Sequence, residues 1–217
     1  MIGKGKSISH GVAALEYDLA KEIDGQAAAT EIARHELYGC TGAEMVQEMK
    51  PYFTDFPNVK NNCLRFEVSP SIEESSSFTD ADWAELGNDF MQRMGLVNHQ
   101  YIIIKHSRTE SKKEQAHLHI LANRISLSGE LYRDNWIGKR ATEAANAIAK
   151  ERNFVQSQDI GKANKEEIKE AMNSVLKKMQ GFDLTKFQEE LGKLGFKIRE
   201  ARASTGKLNG YYVTARS

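Results

Sequence analysis

Cysteine is scarce in this chain: Cys40 and Cys63 are the only two among 217 residues, and neither sits in a CxxC or similar ligand spacing. That argues against a disulfide framework and a thiolate metal site, and both read as buried thiols. No apolar run approaches the ~18 residues that a bilayer-spanning helix needs. The opening stretch, Met1-Ile2-Gly3-Lys4-Gly5-Lys6, lacks a following apolar core and a small-residue cleavage signal, so the chain reads as cytosolic and without membrane insertion. There is no internal repeat, and no low-complexity tract longer than Ser75-Ser76-Ser77. Net charge is missing too, because 30 Lys and Arg cancel 30 Asp and Glu. The sum therefore does not point to nucleic acid.

Its distribution says more. Residues 137–217 hold 16 Lys and Arg against 10 Asp and Glu, so the first 136 carry the compensating acid, concentrated in Glu73, Glu74, Asp80, Asp82, Glu85 and Asp89. Such a split permits a basic groove on a neutral protein, or two solvated faces with no partner. The 40 % hydrophobic share supplies a sizeable core, and the length fits one large domain or a domain with an appendage.

Apolar residues at Val12, Leu15, Leu19 and Ile23 recur at helical spacing, predicting a helix over 10–22 with Ser9 as its N-cap. A short helix over 42–49 stops before Pro51. Cys63 to Ser69 alternates as a strand with Leu64, Phe66 and Val68 on its apolar face and Arg65 and Glu67 on its polar one. Thr79 or Asp80 caps a helix that Gly95 closes after Met94. Residues 101–106 and 116–125 read as strands joined by a polar loop, followed by a short strand at Leu131–Tyr132. Helices follow over 137–152, 165–178 and 184–194, and a hairpin pairs 196–203 with 211–214. The pattern predicts an α+β fold on a largely antiparallel sheet.

His117-Leu118-His119 carries the chemistry. Residues i and i+2 of a strand project to one face, so both imidazoles point the same way, half of a divalent-metal site. If the two strands form a hairpin, His106 joins them as a third ligand, an arrangement suited to a Lewis-acid metal. Alone, the pair reads equally as a surface accident or a hydrogen-bonded core feature. Glu67 is a candidate to orient a histidine or fill a fourth position, or simply a partner of Arg65. Glu110 and Glu114 in the loop are further candidates. Residue chemistry does not choose a nucleophile among Tyr17, Tyr38, Tyr101, Tyr132, Tyr211 and Tyr212.

Tyr101-Ile-Ile-Ile-Lys-His106 with Ala116-His-Leu-His-Ile-Leu-Ala-Asn-Arg124 resembles the third motif of the relaxase/mobilization nucleases of the HUH superfamily, enzymes of plasmids and integrative elements. Asn62 to Pro70, the helix before Gly95, residues 127–154 and Gly206-Lys-Leu-Asn-Gly-Tyr211 resemble flanking segments, so the likeness spans most of the chain. It implies an HUH-type relaxase fold: an antiparallel sheet flanked by helices, with a catalytic core over 1–155 and C-terminal helices and hairpin over 156–217 completing it, either as a whole protein or as part of a longer one. It implies Tyr17 as nucleophile, with His10 an outside candidate, and His106, His117 and His119 as ligands of Mn²⁺ or Mg²⁺, although three imidazoles also suit Zn²⁺ or Ni²⁺.

The implied reaction is nicking of one DNA strand at a transfer origin through a 5′-phosphotyrosine link. Its implied partners are single-stranded DNA and the accessory and coupling proteins of a relaxosome, around a monomeric enzyme. Asn123, Arg124, Arg65, Arg133, Trp136 and Lys139 are the candidate DNA contacts, with Tyr211 and Tyr212 available for stacking. One departure stands out. The commoner family pattern is shorter and has Asp two residues after the first His; here Arg108 stands there, which keeps Glu110 and Glu114 open as substitutes for His106. The rival readings are an HUH replication initiator or transposase, in which the tyrosine follows HxH, and a catalytically inactive DNA-binding accessory protein.

Overall fold

The computed structural model describes residues 1–23, 25–107 and 115–215 (for Ile23 and Ala215 the backbone only). These fall into two compact units, Met1–Ser157 and Gln158–Ser217. In chain order the first contains β1 (Ile2–Ile8), α1 (Gly11–Leu19), β2 (Glu22–Ile23), β3 (Gln26–Ala27), β4 (Ala29–His35), α2 (Gly42–Met49) and a 3₁₀ turn (Lys50–Phe53). It continues with β5 (Cys63–Ser69), α3 (Ile72–Ser75), α4 (Asp80–Met94), β6 (His99–His106), β7 (His117–Ser126) and α5 (Ile137–Glu151). Five strands form one sheet in the order β1-β5-β7-β6-β4, and every neighbouring pair is antiparallel.

The strand period sorts side chains into two cores. On one face, Leu64, Phe66 and Val68 of β5 and Leu118, Ile120 and Ala122 of β7 meet Trp83, Leu86 and Phe90 of α4 and Ala141, Ala145 and Ile148 of α5. On the other, Ile102 and Ile104 of β6 and Leu121 of β7 meet Leu15 of α1 and Met45, Val46 and Met49 of α2. The HxH strand is therefore the central strand, covered by helices on both sides.

β1 and β4, the two edges, carry no sequence signal of their own. β1 reads Ile-Gly-Lys-Gly-Lys-Ser-Ile, with two glycines that disfavour a strand. Their role is tertiary: a Cβ on Gly3 would lie 2.4 Å from the Ala141 carbonyl oxygen and 2.6 Å from Ala145 Cβ. Only glycine lets α5 come this close.

Other expectations shift in detail. The first helix ends at Leu19 rather than Glu22, and its N-cap is His10, not Ser9. Val12, placed on the apolar stripe by spacing, is exposed, while Gly11, Ala14, Leu15 and Asp18 form the buried one. Leu131 makes only an isolated bridge to Ile125 instead of a strand, and Cys40 is exposed, whereas Cys63 is buried. Thr79 caps α4 through its side chain, and Gly95 closes it in the left-handed region at φ 73°.

The second unit has α6 (Ser157–Lys178, whose first residue belongs to the first unit), α7 (Leu184–Lys193), β8 (Phe196–Arg202) and β9 (Leu208–Ala215). It starts its helix eight residues before the predicted Lys165. Val175, Phe187, Leu191 and Phe196 form its own core, with Ile198 and Val213 packed against it. Among the described residues, no helix is long and apolar enough to cross a membrane.

Candidate metal and nuclease site

The β6–β7 hairpin sets His106 opposite His117 and Ile104 opposite His119. Directly opposed residues share a face, so the parity that buries Ile102 and Ile104 also delivers three imidazoles to the α1 side. One nitrogen from each lies within 4.8 Å of the others, and His117 Nε2 and His119 Nε2 stand 3.0 Å apart.

Each ring presents its remaining nitrogen to the protein. His106 Nε2 donates to the Asp18 backbone carbonyl at 2.8 Å. His117 Nδ1 faces the Gln115 carbonyl at 3.3 Å. His119 Nδ1 faces the Asp18 carboxylate at 3.8 Å and Arg65 at 3.4 Å.

Burial drives all three imidazoles toward the neutral form. For His119 the effect is largest: burial first, then the charges of His106, His117, Arg65 and Lys4, push its pKa down to about 2. Neutral imidazole is the metal-binding state. Two ring nitrogens at 3.0 Å also match neighbouring ligands around an ion about 2.1 Å from each. The donor set fits a divalent cation.

Asp18 is the residue that sequence reasoning passed over. It is 1 % exposed, and its carboxylate receives Arg65 Nε at 3.1 Å and Arg65 Nη2 at 2.5 Å. Burial raises its pKa against the lowering influence of Arg65. A signal did exist: with Ala14 and Leu15, Asp18 completes the 3.6-residue stripe, and an acid on a buried stripe calls for a partner. The same phase turns the preceding residue outward. Tyr17 is 57 % exposed, and its hydroxyl accepts from Lys21 Nζ at 3.0 Å.

The remaining candidates separate. Glu67 lies opposite His119 in register, but its carboxylate takes Lys4 Nζ at 2.8 Å and it is outside the histidine cluster. The alternative of a Glu67–Arg65 pair gives way to Glu67–Lys4 and Asp18–Arg65. Glu110, Glu114 and Arg108 lie outside the described residues. Asn123 is fully buried: its amide donates to Gln100 Oε1 and its carbonyl oxygen accepts from Ile125 N, each at 2.9 Å, so it braces the sheet. Arg124 is likewise engaged, by the Tyr132 and Asn61 carbonyls and the Asp134 carboxylate. Arg133, Trp136 and Lys139 are exposed at the start of α5, Lys139 standing 3.8 Å from Glu143. His10 is exposed at the N-terminus of α1.

A family model described as relaxase, MobA/VirD2-like, nuclease domain matches residues 17–154. The chain belongs to this relaxase family. The match opens at Tyr17 and takes in all three histidines. A comparison with curated proteins gives no match. Among solved structures the chain is similar to a conjugative relaxase, TrwC, in complex with oriT DNA in a metal-bound form. The two are 12 % identical with a TM-score of 0.40, over 95 % of this chain and 74 % of that one.

The antiparallel sheet with helices on both faces and HxH on its central strand is the architecture that this member of the relaxase family adopts. As a member of this family the chain is a relaxase, a DNA-nicking enzyme of conjugative mobilization, and its three imidazoles form a group that could hold a metal ion.

Proposed function

We propose that Tyr17 is the nucleophile and that His106, His117 and His119 hold the metal, with Mn²⁺ or Mg²⁺ the physiological ion because phosphoryl oxygens are hard ligands. The observation that carries this reading is the 2.8 Å hydrogen bond from His106 to the backbone of Asp18, which ties the imidazole cluster to the residue next to an exposed tyrosine. When bound, the ion supplies Lewis acidity to the scissile phosphate.

The phenol oxygen of Tyr17 attacks phosphorus in line. The P–O3′ bond breaks, the phenolic proton ends on the departing 3′ oxygen, and the strand leaves a free 3′-OH and a 5′-phosphotyrosine. Lys21, donating to that phenol oxygen, puts positive charge where negative charge develops. The phosphotyrosine conserves the phosphodiester energy, so rejoining needs no ATP.

The substrate is single-stranded DNA at a transfer origin, since a duplex hides the backbone geometry the site requires. Residues 1–155 act as the catalytic core and 156–217 complete DNA binding. A monomeric enzyme in the cytoplasm, working with relaxosome accessory and coupling proteins, accords with this role.

The test is incubation of the protein and Mn²⁺ with supercoiled plasmid carrying the cognate origin. Nicked circles with protein on the 5′ end are expected, lost in Tyr17→Phe and in His119→Ala. Nicking that survives Tyr17→Phe moves the nucleophile elsewhere, and binding without nicking under any divalent metal overturns the assignment.

A further inference from the structure

The second unit carries a surface that the nicking chemistry does not use. In its hairpin, Arg199 lies opposite Tyr212, Lys197 opposite Thr214 and Ala201 opposite Gly210. Opposed residues share a face, and Ile198 and Val213 take the other one, packed on the core of the unit. The outward face therefore presents Lys197, Arg199, Tyr212 and Thr214, all exposed, with Tyr212 at 64 %.

Small residues, Ala201 and Gly210, lie beside that tyrosine and leave its ring unobstructed. Four cations of the unit pair locally, Lys162 with Asp159, Lys169 with Glu166, Lys193 with Glu190 and Arg202 with Glu200, whereas several described lysines of its helices and turn do not. Among the described residues, Lys197 and Arg199 have no carboxylate partner. The face thus combines two unneutralised cations with a bare aromatic ring across from one of them.

We propose that this hairpin face is a second binding surface for single-stranded DNA, on which Tyr212 stacks a base while Lys197 and Arg199 meet the flanking phosphates. A flat ring facing a strand that carries two cations fits unpaired bases, because stacking needs an open base face and tolerates any sequence; in a duplex those faces are already taken. The proposal rests on single-stranded DNA being the substrate, and the surface works without metal or Tyr17.

The experiment uses the full chain in EDTA, where no strand is cut, with fluorescent oligothymidylate and a duplex of equal length titrated over a range of salt. Each contacted phosphate contributes about 0.7 to the slope of log K against log salt on a single strand. Lys197→Ala with Arg199→Ala is expected to flatten that slope by about 1.4. Tyr212→Ala is expected to weaken binding about fivefold or more at unchanged slope, and Tyr212→Phe to retain it.

An unaltered slope in the double variant, unaltered affinity in Tyr212→Ala, or losses confined to the duplex would each overturn the proposal. So would circular dichroism that traces the losses to unfolding, provided Tyr212→Phe, which keeps the ring, is equally impaired. None of these outcomes bears on the Tyr17 assignment, which the nicking assay decides by itself.

Discussion

Asp18 grips Arg65 through two hydrogen bonds, at 3.1 and 2.5 Å, with the carboxylate almost wholly buried. That pair joins α1 to β5 directly beside His119, and the backbone carbonyl of the same aspartate holds His106. Tyr17 and the histidines are thus coupled through one residue. Its position fixes both the orientation of the rings and the direction in which α1 presents the phenol.

Replacing that carboxylate separates the two functions. Asp18→Asn leaves Arg65 without its charge partner and is expected to cost about 3 kcal/mol of stability, read by urea unfolding. The backbone bond to His106 survives, so the cluster stays assembled, but loss of the outer carboxylate at His119 lowers metal affinity by roughly tenfold to a hundredfold in calorimetry. Unchanged metal affinity would reduce Asp18 to a structural ion pair.

Metal-free protein should lose stability as pH falls below neutrality. Burial lowers the pKa of His99, His106, His117 and His119 in the folded state. Between the unfolded value of 6.5 and the lower folded values, the unfolded chain binds more protons, so unfolding becomes easier as pH drops through that window. His119, with its folded pKa pushed down to about 2, contributes a loss on the order of 1 kcal/mol from neutral pH to pH 5.5. Thermal unfolding at pH 7.5 and 5.5 checks the sign, and His119→Gln should shrink the difference.

Gly3 admits no side chain. Gly3→Ala puts a methyl carbon against the Ala141 carbonyl and Ala145, both on a helix that cannot yield locally, and is expected to cost about 1–3 kcal/mol. The midpoint of denaturant unfolding measures it. A neutral result would mean that α5 can shift away from β1 without loss.

Trp136 sits in the left-handed region at φ 56° with 80 % of its surface in solvent, strain that no packing offsets. Trp136→Gly should therefore raise stability by about 1 kcal/mol. If the ring serves as a stacking contact of the nuclease unit, the same variant binds single-stranded oligonucleotide about fivefold more weakly. Greater stability at full affinity would remove Trp136 from the DNA-contact set.

The histidine cluster was legible because strand parity is local: spacing within His117-Leu118-His119 puts two rings on one face, and the apolar runs around them show which residues are strands. The reach of His106 required the hairpin register, which the sequence suggested through the polar loop joining two adjacent strands and the structure realises as His106 opposite His117. Asp18 and Tyr17 were harder to read, because Val12 and Leu19 suggested a helix phase that tertiary packing rotates toward Ala14 and Asp18.

By itself, the sequence determined the antiparallel α+β plan, the stop of a helix at Gly95, and the shared face of His117 and His119, since these depend on periodicity and on contacts within a few residues. Only the tertiary structure decided that a glycine-and-lysine stretch becomes edge strand β1, that Glu67 pairs with Lys4, and that Asp18 rather than Glu67 reaches His119. Those outcomes turn on which distant surfaces meet. A helix at Ala141 and an arginine on β5 select partners that no local pattern records.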